Sequence, residues 1–492
     1  MCPRVRTRAR IREHALGREL DAERVSERRG ARALARWAAS VRLIAPLAWP
    51  VFVGQLSVLA FGTVDTVLLG RYAALDLAAL AVGAAAYVTV FIGLMGVVLA
   101  LAPIVGQLYG ARQFAAAGRQ AHQAVWIALG LALAGGLLLA FPHPFLALAR
   151  TSPEVEAKVR GYLLALAFSL PAALLFTVYR GFNIAVSRPK AVMVLQLGGL
   201  ALKVPLSMFF VHGLPAAGGP ALGVVGCGLA TCIAMWAQCI AAWRVVRRDA
   251  FYAPFAIGGR GLDAPDLRAL LAQLRLGAPM GASIVVEVTG MTFMALFIAR
   301  FGTTAVAGHQ IAANLAAMLF MMPLAIGNAT TTLVAQAIGA RALADARRLG
   351  WHGLALGLLV ALVAATLVYA GRAAIVRLYT SDPAVAAAAL AFVAWLAWFH
   401  IGDAAQTVAA FVLRAWRVTT VPLVVYAIAI WGVGLGGGWW LAFAAGAEVP
   451  APLRGPPGFW IAAAASLVVT AVLLTAFLGW MLQRQRRGAM GG

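Results

Sequence analysis

The stretch Gln107-Leu-Tyr-Gly-Ala-Arg112 has a near copy later in the same chain, Gln336-Ala-Ile-Gly-Ala-Arg341. The two copies are 229 residues apart, close to half of the 492-residue sequence. The same offset, without a gap, aligns three further pairs of identical residues: Pro50 with Pro279, Thr63 with Thr292 and Arg71 with Arg300. The chain therefore repeats its own layout. Each copy of the motif closes the second long apolar segment of a six-segment block.

The composition excludes a soluble protein of this length. Hydrophobic residues make up 63% of the chain, charged residues only 12%, and the mean hydropathy is +0.87. A helix that crosses a bilayer needs about 20 apolar residues. Twelve stretches reach that length, at about 44–69, 78–108, 120–141, 160–180, 191–212, 221–243, 274–299, 309–337, 352–371, 385–413, 421–443 and 459–482. The sequence predicts an all-α integral membrane protein with twelve transmembrane helices.

Six spans per half place both termini on one side of the membrane and insert the halves in parallel. Two six-helix lobes are then related by a pseudo-two-fold axis along the membrane normal, a layout typical of transporters. The predicted parts of the chain are a basic arm at 1–43, a first lobe at 44–248, an inter-lobe loop at 249–272, a second lobe at 273–482 and a tail at 483–492.

The net charge of +23 follows the predicted topology. Of the 40 Lys and Arg residues, 31 fall on the side of the termini, eight on the opposite side, and Lys203 falls inside a span. This bias places both termini in the cytoplasm and predicts a multi-pass inner membrane protein. No nucleic-acid-binding module is recognisable. The arm has no apolar core of a secretory signal, and it is expected to be disordered or to lie on the membrane surface.

Four cysteines give no disulfide framework or metal-ligand spacing, and no nucleotide-binding loop is present. No cofactor is therefore expected, and an ion gradient is the expected source of energy. The other expected partners are small-molecule substrates and the lipid bilayer, and the chain is expected to act as a monomer.

Four ionisable residues lie deep in the predicted spans: Asp65, Lys203, Glu287 and Asp403. Such residues are costly in a bilayer and are usually functional. On aligned helices, Asp65 and Glu287 are offset by seven residues, so they share a face at depths about 10 Å apart. His309 and His400 are expected to be packed core side chains.

Several short motifs together resemble the MATE (multidrug and toxic compound extrusion) transporters, in the NorM-like branch. They cover roughly residues 41–483 in the family's order. The matching segments are Gly62-Thr-Val-Asp65-Thr-Val-Leu-Leu-Gly70, Asp76-Leu-Ala-Ala-Leu80, Gln107-Leu-Tyr-Gly-Ala111, Gly223-Val-Val-Gly-Cys-Gly228, Val285-Val-Glu287-Val-Thr289, Gly308-His-Gln-Ile311, Asn314, Asp403-Ala-Ala-Gln406 and Leu413-Arg414.

The resemblance implies a central cavity for cationic or amphipathic aromatic compounds, exported in exchange for Na⁺ or H⁺, and no enzymatic activity. Glu287 and Asp403 match the carboxylates implicated in cation binding, which makes them the candidate Na⁺ ligands. Asp65 matches the first-lobe acid linked to ion coupling. Further cavity candidates are Gln55, Lys203, Asn314, His309 and Phe399.

The chain departs from the family pattern at Lys203, where the fifth helix commonly carries Asn. Charge balance predicts that Lys203 pairs with Asp65, the only acid placed deep in the spans of the first lobe. The alternative is that Lys203 reaches a water-filled cavity or the outer face. Phe399 replaces a frequent Tyr, and Ala415 replaces a usual Gly after Leu-Arg.

Three other functions are alternatives to a multidrug antiporter. A lipid-linked precursor flippase of the same broad superfamily would hold pyrophosphate with basic residues, but a single Lys lies among three acids. A membrane enzyme would need clustered His or acidic residues. A channel would need a selectivity loop, and none is recognisable.

Overall fold

The computed structural model describes residues 3–149, 152–213, 221–259, 261–446, 449–450 and 453–490. Twelve long apolar helices and no strand occur among them, so the predicted all-α membrane fold is confirmed. The helices are α1 Pro3–Tyr72, α2 Ala74–Gly110, α3 Phe114–Ala140, α4 Pro153–Ala185, α5 Pro189–His212, α6 Val224–Arg248, α7 Leu267–Ile298, α8 Thr303–Gly339, α9 Leu343–Tyr379, α10 Pro383–Ala415, α11 Thr420–Ala444 and α12 Pro456–Met490.

Two helices are irregular. A break at Leu99 and Ala100 divides α2 into Ala74–Val98 and Leu101–Gly110. Two π-helical segments, Ala427–Gly436 and Trp440–Ala444, interrupt α11 around a glycine-rich run. Glycine has no Cβ atom and so adapts more easily to an irregular helical backbone, and π-helical segments are frequent at functional sites.

Two interior clusters correspond to the two lobes. One contains buried residues of α2 to α6, and another contains buried residues of α7 to α10 and α12. A third joins the lobes, because Ile44, Ala48 and Val51 of α1 pack with Ile326 of α8 and Val408 of α10. These contacts lie towards the side where α1 begins and α12 ends, hereafter the terminal side.

The segments before and between the lobes contain a short helical turn, a helix cap and an extension of α1. A 3₁₀ turn, Ala250–Phe255, follows α6, and Asp266 caps α7 by accepting a hydrogen bond from Arg268 N at 2.9 Å. The backbone of the predicted arm continues α1 back to Pro3. Its side chains before residue 33 lie outside the described residues, so the nature of the arm stays a prediction.

Candidate functional site

Two carboxyl groups meet inside lobe 2, Glu287 on α7 and Asp403 on α10. Gln406 donates a hydrogen bond from Nε2 to Asp403 Oδ1 at 3.0 Å and lies near Glu287. The two carboxyl groups are close enough for their charges to interact. Asp403 is buried and Glu287 is half-buried. The structure therefore brings together the two acids that the sequence indicates in this lobe.

Two further side chains complete this cluster. The Tyr426 hydroxyl of α11 donates a hydrogen bond to Gln406 Oε1, which fixes the orientation of the amide. The buried Arg414 guanidinium lies 4.3 Å from the centre of the Phe411 ring, and its charge acts on Glu287. With both acids ionised, one arginine leaves a net charge of −1. A single monovalent cation or proton would neutralise the cluster, and isolated charge at this depth is costly.

The helical repeat of α10 explains the arrangement. Asp403, Gln406, Thr407 and Arg414 recur at intervals of three, four and seven residues, which places them on one face of the helix. Gly402 lets the neighbouring α12 approach, since a Cβ atom there would lie 3.0 Å from Val468 N. Close packing against α12 leaves the polar face of α10 turned towards α7 and α11.

Lobe 1 contains a closed ion pair in place of an acidic pair. Lys203 Nζ lies 2.9 Å from Asp65 Oδ1 and 3.0 Å from Oδ2, and it donates to Thr231 Oγ1 at 2.6 Å. Ser207 Oγ donates to Asp65 Oδ1 at 3.4 Å. Lys203 is fully buried and Asp65 is 4% exposed. Three acceptors use all three ammonium protons. The ion pair predicted from charge balance is therefore confirmed, and its net charge is zero.

Arg180 was not predicted as a membrane-depth charge. Arg180 and Arg414 fall at the terminal-side edges of the predicted spans 160–180 and 385–413, but they lie inside α4 and α10. Arg180 donates to Gln55 Oε1 at 3.2 Å and contacts Met95 Sδ at 3.1 Å. Among the described residues it forms no salt bridge. Gln55, a predicted cavity residue, is therefore half-buried beside an arginine.

The remaining cavity candidates do not join the acidic cluster. His309 is 2% exposed, and its ring centre lies 5.7 Å from that of Trp460. Phe399 packs on the same indole at 5.5 Å. Asn314 is exposed and accepts a hydrogen bond from the Tyr379 hydroxyl at 2.9 Å. His400 is 1% exposed, so both histidines are packed in the core of lobe 2, as the sequence predicts.

The repeated motifs of the sequence meet each other at the terminal side. A Cβ atom at Gly110 would collide with the Gln336 backbone, and one at Gly339 with the Gln107 backbone. Gly106 also lies close to the other lobe, with Ala335 Cβ 2.9 Å from the position of a Cβ atom added there. We call this the inter-lobe contact, formed by residues 106–112 and 335–341. Small residues allow the two helix ends to touch through their backbones.

Each motif also donates a hydrogen bond to the opposite lobe. Gln107 Nε2 donates to Ala415 O at 2.8 Å, where α10 ends. Gln336 Nε2 donates to Ala185 O at 2.7 Å, where α4 ends, and to Ser187 Oγ at 2.9 Å. The bonds satisfy carbonyl groups that a helix end leaves free. Each lobe thus donates a hydrogen bond to the other, but the two sides differ, because only Gln336 has a side-chain acceptor as well.

The backbone obeys the same two-fold relation. Arg112 and Arg341, which end the two motifs, both have left-handed φ angles of 58°. Ser187 and Arg417, just after α4 and α10, have φ angles of 61° and 59°. Non-glycine residues rarely adopt this conformation, so its recurrence at matching positions reflects one turn design used in both lobes.

A family model described as MatE matches residues 50–209 and 279–440, one segment in each lobe. The chain belongs to the MatE family. It is 44% identical over 440 residues to a "Probable multidrug resistance protein NorM" of Aromatoleum aromaticum, covering 89% of this chain and 92% of the relative. It is 33% identical over 440 residues to the "Multidrug resistance protein PmpM" of Pseudomonas aeruginosa, covering 89% and 90%.

Solved structures of the MatE family share the fold. The crystal structure of the eukaryotic MATE transporter AtDTX14 superposes with a TM-score of 0.82 at 17% sequence identity, covering 92% of this chain and 99% of that one. The resemblance stated from the sequence motifs is therefore confirmed. This chain is a multi-pass membrane protein with the MATE architecture.

Proposed function

We propose that this chain is a secondary-active multidrug exporter that exchanges cationic or amphipathic aromatic compounds for inward-moving Na⁺ or H⁺. The observation that carries the proposal is the pairing of two carboxyl groups, Glu287 and Asp403, with one cation, Arg414, inside lobe 2 of a MatE family member. Relatives at up to 44% identity are named as multidrug resistance proteins, which supports this substrate class.

The charge of the cluster accounts for exchange. A site with one uncompensated negative charge attracts a coupling cation and a cationic substrate alike, and the low dielectric of the membrane interior strengthens both interactions. The two cations compete because binding either one removes the excess charge. An ion that enters from the outside therefore favours release of the substrate, which is the requirement for antiport.

The inter-lobe contact supplies the second requirement, alternating access. The cross-lobe hydrogen bonds of the described residues lie at the terminal side. This arrangement supports a state that is closed to the cytoplasm and opens outwards. To load substrate from the cytoplasm, the two motifs must separate while the lobes rock about their common axis.

The proposed topology places both termini in the cytoplasm, from the excess of Lys and Arg on the terminal side. Reporter fusions after Gln483 and within the first 40 residues test it. Cytoplasmic signals at both ends are expected, and opposite signals at the two ends would contradict the topology.

The function itself is tested with purified protein in liposomes loaded with a fluorescent cationic dye. A Na⁺ gradient and a pH gradient are imposed separately, at zero membrane potential. Dye movement against its own gradient is expected with one of them. Dye movement that neither gradient accelerates would contradict a secondary-active exporter, and the responding gradient identifies the coupling ion.

A lipid-linked precursor flippase is not favoured. Such a protein needs several free basic groups to hold pyrophosphate. Lys203 is fully buried and all its protons are used by Asp65 and Thr231, while Arg180 already donates to Gln55. Translocation of a labelled pyrophosphate-linked lipid in the same liposomes, faster than in protein-free liposomes, would reverse this conclusion.

A further inference from the structure

A groove opens on the surface of lobe 2 between α9, α10 and α12. Its volume is about 740 Å³, and its lining includes Trp351 of α9, Ala405 of α10, and Ala471, Thr475, Gly479 and Trp480 of α12. The indoles of Trp351 and Trp480 are 39% and 53% exposed. Two exposed tryptophans in one apolar groove near a helix end are typical of the membrane–water interface.

The corresponding place in lobe 1 is filled by the chain itself. The repeat offset aligns Trp351 with His122 of α3, and His122 Nε2 lies 3.4 Å from Ile257 O of the inter-lobe loop. A Cβ atom at Gly118 would collide with Phe255 O, and one at Gly258 would lie 3.2 Å from Val246 O of α6. Loop residues 255–258 therefore lie between α3 and α6, the counterparts of α9 and α12.

In the part of the chain that the structure describes, lobe 2 lacks both the cover and the residues that accept it. Its α12 continues to Met490 and carries the chain past the groove instead of back across it. Gly118, which admits the loop backbone in lobe 1, is aligned with Arg347. The polar His122 is aligned with Trp351. The groove is thus lined for an apolar occupant and bordered by a positive charge.

Two arginines lie one helical turn from the tryptophans of the groove, towards the terminal side. Arg347 precedes Trp351 by four residues and so shares its face of α9. Arg347 Nε donates to Leu343 O at 3.1 Å, and its other nitrogens have no partner among the described residues. Arg484 follows Trp480 by four residues, and its guanidinium carbon lies 5.4 Å from the indole centre. Neither arginine pairs with an acid among the described residues.

We propose that this groove binds one anionic phospholipid of the cytoplasmic leaflet. An acyl chain lies between Trp351 and Trp480, and the phosphate group is held by Arg347 and Arg484. The guanidinium group suits this role because it donates two parallel hydrogen bonds to a phosphate. The assignment to the cytoplasmic leaflet rests on the proposed topology. The lipid takes the place in lobe 2 that the inter-lobe loop occupies in lobe 1.

The test uses the full chain, purified and stripped of lipid in detergent. Native mass spectrometry then counts retained lipid after addition of phosphatidylglycerol or phosphatidylcholine with identical acyl chains. A photoreactive acyl chain identifies the contact peptides. We expect one phosphatidylglycerol retained per chain, in preference to phosphatidylcholine, with cross-links on the peptides that contain Trp351 or Trp480. Each arginine removed should weaken retention about fivefold.

The variants exploit the comparison with lobe 1. Arg347→Gly and Trp351→His introduce the aligned residues of lobe 1 and should reduce retention. Arg119→Gly removes an exposed terminal-side charge from α3 by the same substitution and is the control, which should retain lipid normally. Gly479→Leu fills the groove without changing charge, since a Cβ there meets Trp351 only at 3.8 Å, and should displace the lipid.

Three results would overturn the proposal. Cross-links spread over both lobes would indicate ordinary surrounding lipid, and unchanged retention in Gly479→Leu would place the bound lipid elsewhere. A dimer that buries Trp351 and Trp480 would replace the lipid with a second copy of the chain. Lipid retention is measured without transport, so each of these failures leaves the proposed export function untouched.

Discussion

Lobe 1 and lobe 2 share one fold but treat buried charge in opposite ways. In lobe 1 the Asp65 carboxylate is bound by a cation that belongs to the chain, the Lys203 ammonium. In lobe 2 Glu287 and Asp403 outnumber the single Arg414. The acid of the first lobe has no charge left for an external cation to neutralise, whereas the second lobe sets two carboxyl groups against one arginine. A duplicated fold can thus confine ion binding to one half by supplying the other half with an internal cation.

The largest expected effect comes from removing the negative charge of lobe 2. Glu287→Gln or Asp403→Asn neutralises the cluster and removes the excess charge that attracts both cations. Ion-driven dye efflux from liposomes should fall to the protein-free rate, at normal expression and unchanged thermal stability. Asp345→Asn is the control, because Asp345 is an exposed acid that pairs with Arg348 on α9. Full efflux by both cluster variants would remove these acids from the coupling site.

The next largest effect concerns the internal ion pair of lobe 1. Lys203→Ala or Asp65→Ala alone leaves one buried charge without its partner, which costs about 3–5 kcal/mol. The double variant leaves neither charge, so it should be more stable than either single variant. Thermal unfolding in detergent and dye efflux are measured for all four proteins. If the two single losses simply add in the double variant, the residues do not act as a pair.

A subtler variant makes lobe 1 resemble the usual family sequence. Lys203→Asn replaces the ammonium with a neutral amide and leaves Asp65 available to an external cation. The number of coupling ions bound per chain should then rise by one, measured by equilibrium binding of radioactive Na⁺ or by proton release. Lys203→Arg keeps the internal positive charge and should leave the number unchanged. An unchanged count in Lys203→Asn would mean that Asp65 cannot bind an external ion even when it is unpaired.

The smallest effect tests whether Gln336 stabilises the inter-lobe contact more than Gln107 does. Gln336→Leu removes two hydrogen bonds and Gln107→Leu removes one, each bond contributing about 1 kcal/mol. The population open to the cytoplasm should rise about fivefold more in the first variant. Distances between spin labels at Gln113 and Ala344 report the separation of the lobes at the terminal side. Ser187→Ala removes only the extra acceptor of Gln336. When it is combined with Gln336→Leu or with Gln107→Leu, the two glutamine substitutions should raise the cytoplasm-open population equally. If Gln336→Leu and Gln107→Leu raise this population equally while Ser187 is present, the extra hydrogen bond of Gln336 does not stabilise the contact.

The sequence predicted what depends on residue type and spacing. Apolar lengths indicated twelve helices, the offset of 229 residues indicated two lobes, and the cost of buried charge predicted the Lys203–Asp65 pair. It does not place Arg180 and Arg414 inside helices, because a charge near the end of an apolar stretch resembles the end of a span.

The hydrogen-bond partners of the repeated motif could also not be predicted from the sequence. Gln107 and Gln336 marked the repeat, but the groups they bind are backbone carbonyls, which every residue carries. Only the three-dimensional packing selects Ala415 and Ala185 among them. The accessory role of Tyr426 has the same cause, since it reaches Gln406 from a different helix.

The neutrality of the Lys203–Asp65 pair has an electrical consequence. A pair with no net charge does no work against the membrane potential when its lobe moves, whereas an uncompensated charge that crosses 100 mV changes the energy by about 2.3 kcal/mol. Of the two acidic sites, only the Glu287–Asp403 cluster then changes its charge with occupancy. One monovalent ion exchanged for one monovalent drug is electrically silent and draws on the concentration gradient alone, and any measured current counts the ions in excess of one.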